Sequence, residues 1–311
     1  MEFSPDPPLP SPAGARPDVF GTPAAAPVLS RRDAALTPAA VGASNLTLEL
    51  HPNYLRVAVV DARSAQRRLL EEFTLSGPTA DGPSLHDVRD VVNGYDLLAR
   101  NFWHSVRVLL DHQSFTLVPD ALFRKEYAVR YLELARGTAL VGEKVYFNRH
   151  PGWNAVTVFS LPARLDDYLQ SVYPFEKLRM FHQVDALLAL ALEGRPPGGR
   201  HLIAFLETGS VCLVYLDAGR LVYANRFAFR TLNDLVYYLL FVLEELSIAP
   251  GDLDVHAWGQ IEPDDETHRT LREHLPRLHV GDLRSSIALA GPFADISAHR
   301  YAGLFRIASL A

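Results

Sequence analysis

Hydrophobic and polar positions alternate sharply where the patterned part of the chain begins. Leu46, Leu48 and Leu50 are interleaved with polar residues, Pro52-Asn53 marks a turn, and Leu55 to Val60 reads as a second strand. Arg68 to Leu75 predicts a third, giving a meander of strands joined by tight turns. Gly77 to Ser84 reads as a loop. The period then changes. Over His86 to His104, Val88, Val91, Val92, Tyr95, Leu97 and Leu98 fall on one helical stripe. Val106 to Leu110 and Phe115 to Val118 are expected to pair as strands, and Pro119-Asp120 to open a helix running to about Leu134. Lys144 to Asn148 and Ala155 to Leu161 predict another strand pair around the turn Pro151-Gly152. Pro162 leads a helix through Leu165, Tyr168, Leu169 and Val172, Leu178 to Phe181 reads as a short strand, and Val184 to Leu192 as an apolar helix.

The run Glu193-Gly194-Arg195-Pro196-Pro197-Gly198-Gly199 is the best linker signal inside the patterned region, and we place a domain boundary there. Beyond it, His201 to Leu206, Val211 to Leu216 and Leu221 to Ala228 predict a second three-strand meander. Thr231 to Leu246 is apolar nearly all round, so it is expected to be a buried helix. Asp254 to Trp258 and Leu278 to Val280 read as strands on either side of a charged helix, Asp264 to Leu275. The remainder is expected to return irregularly.

The two meanders match at a constant offset of 156 positions between residues 45–62 and 201–218. Leu46 falls on Leu202, Leu50 on Leu206, Leu55 on Val211, Val57 on Leu213, Asp61 on Asp217, and turn falls on turn. Two long units of this kind indicate duplicated α/β domains, because a solenoid needs three or more short repeats. The plainer alternative is two unrelated hairpins of a common type.

Composition narrows the class. Of 311 residues, 48% are hydrophobic and 21% charged, enough for a sizeable core. A net charge of −6 disfavours a general polyanion binder, so nucleic acid is not an expected partner. Residues 1–43 hold nine of the 22 prolines and few aromatics, so this stretch is predicted to be a disordered tail with Phe20, Val28 and Leu29 as its only anchors. Cys212 is the only cysteine, which excludes an intrachain disulfide and a cysteine-based zinc cluster, and its apolar neighbours predict a buried thiol. The N-terminus lacks the apolar core of a secretory signal, and the longest apolar run, Leu235 to Leu243, is too short to span a bilayer. The expected location is the cytoplasm, where the sequon Asn45-Leu46-Thr47 is a chance match.

Two β-β-β-α units in tandem resemble the actin / sugar kinase / Hsp70 superfamily. The chain is more specifically similar to a bacterial domain-of-unknown-function family with an actin-like ATPase fold. The segments carrying that resemblance are Phe115 to Phe123, Asn154 to Pro162 and His299 to Phe305, and it spans residues 44–311. More distantly, the chain resembles actin-like pilus-assembly and secretion-platform scaffolds. The implied fold is α/β: two duplicated ribonuclease-H-like lobes in an actin-like ATPase architecture, with helices packed on mixed sheets. Lobe I is expected over 44–197 and lobe II over 198–311, with the C-terminal segment returning towards lobe I.

The superfamily also implies a nucleotide site, with an Asp-x-Gly turn between the first two strands of each lobe. Its carboxylate orients Mg²⁺, and its glycine lets backbone N–H groups approach phosphate. The first turn here reads His51-Pro52-Asn53, without acid or glycine, and Pro52 has no N–H to offer. The second reads Glu207-Thr208-Gly209-Ser210, which retains an acid, a glycine and hydroxyls. The base-binding motif reduces to Trp258-Gly259-Gln260, with one glycine. If a nucleotide binds, Glu207, Thr208, Gly209 and Gly259 are the residues to hold it; otherwise the second turn is a plain hairpin turn.

No Walker loop, GxGxxG, GxSxG or HExxH motif occurs. His268 and His274 are six apart and face different sides of a helix, so no metal site is expected, and Asp264 to Glu266 suit a helix start. No catalytic residue is assigned. The expected function is a non-catalytic scaffold or adaptor that docks a protein partner and needs no cofactor, with self-association left open. The alternatives are an ATP–Mg binder with weak or no hydrolysis, and a regulatory module on a nucleic-acid-processing enzyme.

Overall fold

The computed structural model describes residues 20–76, 82–175, 178–193, 198–281 and 289–310. The boundary placed at Glu193–Gly199 falls mainly on 194–197, and most of the Gly77–Ser84 loop on 77–81, outside the described residues.

In chain order the first half contains β1 (Leu29–Arg32), β2 (Ser44–His51), β3 (Tyr54–Asp61), β4 (Arg67–Thr74), α1 (Leu85–Asn93), β5 (Ser105–Leu110), β6 (Phe115–Pro119), α2 (Ala128–Arg136), β7 (Glu143–His150), β8 (Ala155–Pro162), α3 (Ala163–Val172), β9 (Leu178–His182) and α4 (Gln183–Glu193). The second half contains β10 (Arg200–Glu207), β11 (Ser210–Asp217), β12 (Arg220–Ala228), α5 (Leu232–Glu245), β13 (Asp254–Gly259), α6 (Glu266–His274), β14 (Leu278–Val280) and α7 (Ala302–Ala308).

The two main sheets repeat one topology. Lobe I runs β1-β4-β3-β2-β5-β9 and lobe II runs β12-β11-β10-β13-β14. In each lobe a three-strand antiparallel meander continues into two parallel strands, so β4-β3-β2-β5-β9 matches β12-β11-β10-β13-β14. The register agrees as well. Leu50 faces Leu55 and His51 faces Tyr54 in one hairpin; Leu206 faces Val211 and Glu207 faces Ser210 in the other. Both meanders carry a bulge at the same place, after Val59 and after Tyr215. Every residue of β2 is buried, because helices cover one face of its sheet and the second lobe and the C-terminal helix cover parts of the other.

Lobe I carries an insertion of three strands, β6-β8-β7, with α2 against them. This corrects the expected pairing of Val106–Leu110 with Phe115–Val118. β5 pairs with β2 and β9 in the main sheet, and β6 pairs with β8 in the inserted one. The intervening residues Asp111 to Ser114 cross from sheet to sheet instead of forming a hairpin.

The expected disordered tail through residue 43 is also corrected for its described part. β1 adds to the edge of β4, and a 3-10 turn over Pro38–Ala43 leads into β2. Phe20 is buried with Arg32 and Arg100 over its ring, and Leu36 and Val41 join the core. Sparse anchors suffice here because β4 supplies a ready ladder of backbone partners. Two helices are shorter than their sequence stripes. α1 ends at Asn93, and Tyr95, Leu97 and Leu98 are buried from a turn. α2 begins at Ala128, preceded by turns.

α5 starts with a capping box in which the Thr231 hydroxyl accepts from the Asp234 N–H and the Asp234 carboxylate accepts from the Thr231 N–H. It buries only the face through Leu235, Leu239, Val242 and Leu243, leaving Tyr237 and Phe241 exposed, so the expectation of full burial is corrected. α7 packs on β2, β3 and α4 of lobe I. Its terminal carbonyls are held by Arg107, whose guanidinium donates to the Ile307 and Ala308 carbonyls at 2.7 and 2.6 Å. Cys212 is buried, and burial pushes its thiol up. Among the described residues, no helix is long and apolar enough to cross a membrane.

Candidate functional site between the two lobes

The duplicated hairpins point their turns, His51–Tyr54 and Glu207–Ser210, into the space between the lobes. Each turn stands beside the end of the parallel strand that flanks its hairpin. Register equivalence pairs Asp111, just after β5, with Gln260, just after β13. In an actin-like frame this is where phosphate and metal would have to sit.

The space is filled by protein charge. Arg56, fully buried on β3, reaches across the lobes to Glu207, with its Nη1 donating to Oε1 at 2.6 Å. Its Nε donates to Glu72 Oε2 at 2.8 Å, and Nη1 also approaches Glu49 Oε2 at 3.5 Å. The rings of Tyr54 and Tyr301 pack against the guanidinium at 3.9 and 5.1 Å. A second pair crosses in the opposite direction. Arg226 on β12 of lobe II donates from Nε to Asp111 Oδ1 of lobe I at 2.7 Å. His51 Nε2 lies 3.7 Å from the other Asp111 oxygen.

The electrostatics follow from this inventory. Burial opposes ionisation of Asp111, but Arg226 and His51 outweigh it and hold the carboxyl at about 2. Burial pushes Glu49 up to about 8 against the pull of Arg56, with Glu207 and Asp111 adding to the rise. Glu49 Oε1 has no hydrogen-bond partner among the described residues, as suits a carboxyl that stays neutral. Burial also raises Glu207, opposed by Arg56. His51 is depressed to about 4 by burial, opposed by Asp111 and reinforced by Arg226 and Arg56. Three carboxylates around one guanidinium cannot all be charged cheaply in a dry interior, so the excess is relieved by keeping a proton on Glu49.

The four residues expected at a nucleotide do come together, at the end of the lobe II sheet. Glu207 accepts from Gln260 Nε2 at 3.0 Å, and the exposed Thr208 donates to Gln260 Oε1 at 3.0 Å. Gly209 has φ +77° in the hairpin turn, and its carbonyl accepts from the Phe229 N–H at 2.9 Å. Gly259 has φ +85°, and a Cβ there would lie 2.0 Å from the Leu206 carbonyl oxygen, so only glycine lets β13 leave the sheet beside β10.

At the first turn Pro52 has no N–H, and the Asn53 N–H is already donated to His51 Nδ1 at 3.1 Å. At the first turn the backbone donors are thus engaged or missing, and at the second turn the Glu207 carboxylate is engaged by Arg56 and Gln260. Among the described residues, no cluster of three or more His, Cys, Asp or Glu side chains is arranged to hold a metal ion.

A family model described as "Protein of unknown function (DUF3822)" matches residues 33–278. The chain belongs to this family. No curated protein matches it by sequence. Among solved structures it is similar to a Bacteroides thetaiotaomicron protein with actin-like ATPase fold and unknown function, at 18% identity and a TM-score of 0.69 over 77% of this chain and 91% of that one. It is also similar to the PilM–PilN type IV pilus biogenesis complex, at 12% identity and a TM-score of 0.57 over 85% of this chain and 97% of that one. At these identities the likeness shows the fold, a two-lobed actin-like architecture.

The polar residues that dominate the cleft, Glu49, Arg56, Glu72, Asp111 and Arg226, were not singled out by sequence reasoning. Arg56 lay inside a strand read by its apolar neighbours. A signal was present. Glu49, Arg56 and Glu72 stand side by side across three consecutive strands, a charge triplet at matched register.

Proposed function

We propose that this protein is a non-catalytic actin-like adaptor that docks a protein partner, its ancestral nucleotide cleft replaced by an internal ionic brace. The observation that carries this reading is the buried Arg56–Glu207 bridge at 2.6 Å, made by the one acid retained at either phosphate turn. An acid neutralised by a buried guanidinium is a poor Mg²⁺ ligand, because binding the metal would strand Arg56 without its strongest partner. The hydrolytic machinery of the fold has no other residues to act through at the first turn. The PilM–PilN structure supports the docking half of the reading, since there a protein of this fold is found with a partner.

Calorimetric titration of Mg-ATP into the full chain tests the first half. The expected result is no saturable heat up to millimolar nucleotide. Saturable binding that disappears in Glu207→Ala would replace the brace with a working nucleotide switch and overturn the reading.

A further inference from the structure

α5 turns two aromatic rings to solvent where a surface helix ordinarily carries polar side chains. Tyr237 is 61% exposed and Phe241 41%, one turn apart on the side away from Leu235 and Leu239. The rings are not isolated. Phe227 of β12 stacks on Tyr238 at 4.9 Å, Tyr238 meets Tyr237 edge-on at 5.5 Å, and Tyr237 stacks on Phe241 at 6.0 Å. Phe227 packs against the lobe II core, so the row is anchored at its inner end. Such a face is pre-organised for contact, because its outer rings have little rotamer freedom left to lose.

Charge marks the two ends of the same stripe. Asn233, Tyr237, Phe241 and Glu244 follow one another at spacings of four, four and three, with the exposed Glu245 beside the last. Arg230, just ahead of the helix, is exposed at the other end. Among the described residues, Arg230, Glu244 and Glu245 form no direct ion pair. Asp234, near Arg230, is engaged in the capping box, where it accepts from the Arg230 and Thr231 N–H groups at 3.0 and 2.9 Å.

This arrangement is self-complementary. A two-fold axis crossing α5 between Tyr237 and Phe241 lays a second copy of the helix antiparallel on the first. Tyr237 then faces the second copy's Phe241, and Asn233 faces the second copy's Glu245. Arg230 falls three and four residues beyond the second copy's Glu245 and Glu244, about 5 Å along the helix axis and within the span of its side chain. A bilayer surface is the poorer fit, because residues 232–245 contain no Lys or Arg to meet lipid headgroups. A partner of uniform charge satisfies only one end of the stripe.

We propose that the aromatic face of α5 is the interface of a symmetric homodimer, covered by α5 of a second copy of this chain. The isologous pairing sets the free cation of each copy against the free acids of the other, with the four rings between them. None of these residues takes part in the Arg56–Glu207 brace, so the proposal stands or falls independently of the cleft. Two rings per copy make a small interface, so the association is weak and has to be read over a wide concentration range.

Sedimentation equilibrium of the full chain from about 1 to about 500 µM tests this. The expected result is a monomer–dimer equilibrium, weakened at least about tenfold by Tyr237→Ala and by Phe241→Ala. Both variants should keep the wild-type circular dichroism, since alanine is the best helix former at an exposed position. Charge variants then test the register. Arg230→Glu and the double variant Glu244→Arg, Glu245→Arg should each lose self-association, and mixing the two proteins should restore it as a mixed dimer. A chain that stays monomeric throughout the range overturns the proposal; if that monomer sediments with phosphatidylcholine vesicles and Phe241→Ala abolishes it, a bilayer is the occupant instead. A dimer indifferent to both alanine variants forms through another surface and also overturns it. A dimer weakened by the alanine variants but not recovered by mixing overturns the antiparallel two-fold pairing.

Discussion

Where the lobe I hairpin turns, the chain carries His51, Pro52 and Asn53; at the matching place in lobe II it carries Glu207, Thr208 and Gly209. The strands behind the two turns are interchangeable in register and in apolar character, yet the polar residues differ in sign. Lobe I sends a cation, Arg56, to the acid of lobe II, and lobe II sends a cation, Arg226, to the acid of lobe I. Arg56 occupies the position equivalent to Cys212, and Arg226 the position equivalent to Glu72. The difference shows where a duplicated fold is free to diverge. Apolar strand faces are held by packing in each copy, whereas residues facing across the lobes need only complement each other. Here that complementarity is ionic and buried, and it engages Glu207, the one acid at either hairpin turn.

The largest expected effect comes from breaking the exchange at its centre. Arg56→Ala leaves Glu49, Glu72 and Glu207 buried around an empty site, and it should cost about 3–5 kcal/mol in urea denaturation at neutral pH. The two glycines of lobe II give a smaller, graded contrast. Gly259→Ala meets the Leu206 carbonyl head-on at positive φ and should lose at least about 2 kcal/mol, whereas Gly209→Ala has only the positive φ to bear and should lose about 1 kcal/mol. Equal losses would show that Gly259 is not held by close approach of the backbone.

The pH dependence sharpens the same comparison. Glu49 is held at about 8 in the folded chain against an ordinary 4.5, so the folded state binds the extra proton. Its contribution is complete below 4.5 and is lost as pH climbs to about 8, with a limiting slope of about −1.4 kcal/mol per pH unit. His51, held at about 4 against an ordinary 6.5, works on the other limb: its contribution is complete above 6.5 and is lost as pH falls towards 4. Stability curves collected from pH 5 to 8 should therefore flatten on the alkaline side in Glu49→Gln. An unchanged alkaline slope would mean that Glu49 is ionised in the native protein.

Much of the frame was legible because strand duplication leaves a periodic record. Leu46, Leu48 and Leu50 repeat as Leu202, Ala204 and Leu206, and each hairpin turn falls where the apolar run breaks. The apolar run Thr231 to Leu246 marked α5, and the structure adds the Thr231–Asp234 capping box at its start. What local pattern cannot carry is choice of partner. Phe115–Pro119 has the composition of a strand, but nothing nearby says that β8 rather than β5 is its neighbour. β1 was missed because Leu29–Arg32 is short and polar, and its order comes from the β4 edge some forty residues away. Arg56 and Glu207 are 151 residues apart, so their bridge exists only once both lobes are folded and docked. Of the four residues expected at a nucleotide, the grouping was legible from the fold resemblance; the engagement of Glu207 by a strand arginine was not.

A double-mutant cycle between Arg56→Met and Glu207→Gln, read by denaturant unfolding, addresses the central claim that the lobes are braced where a nucleotide would bind. The account predicts a coupling energy of about 2–3 kcal/mol between these two side chains from opposite lobes. A coupling below about 0.5 kcal/mol, the value of a solvated surface pair, would contradict it.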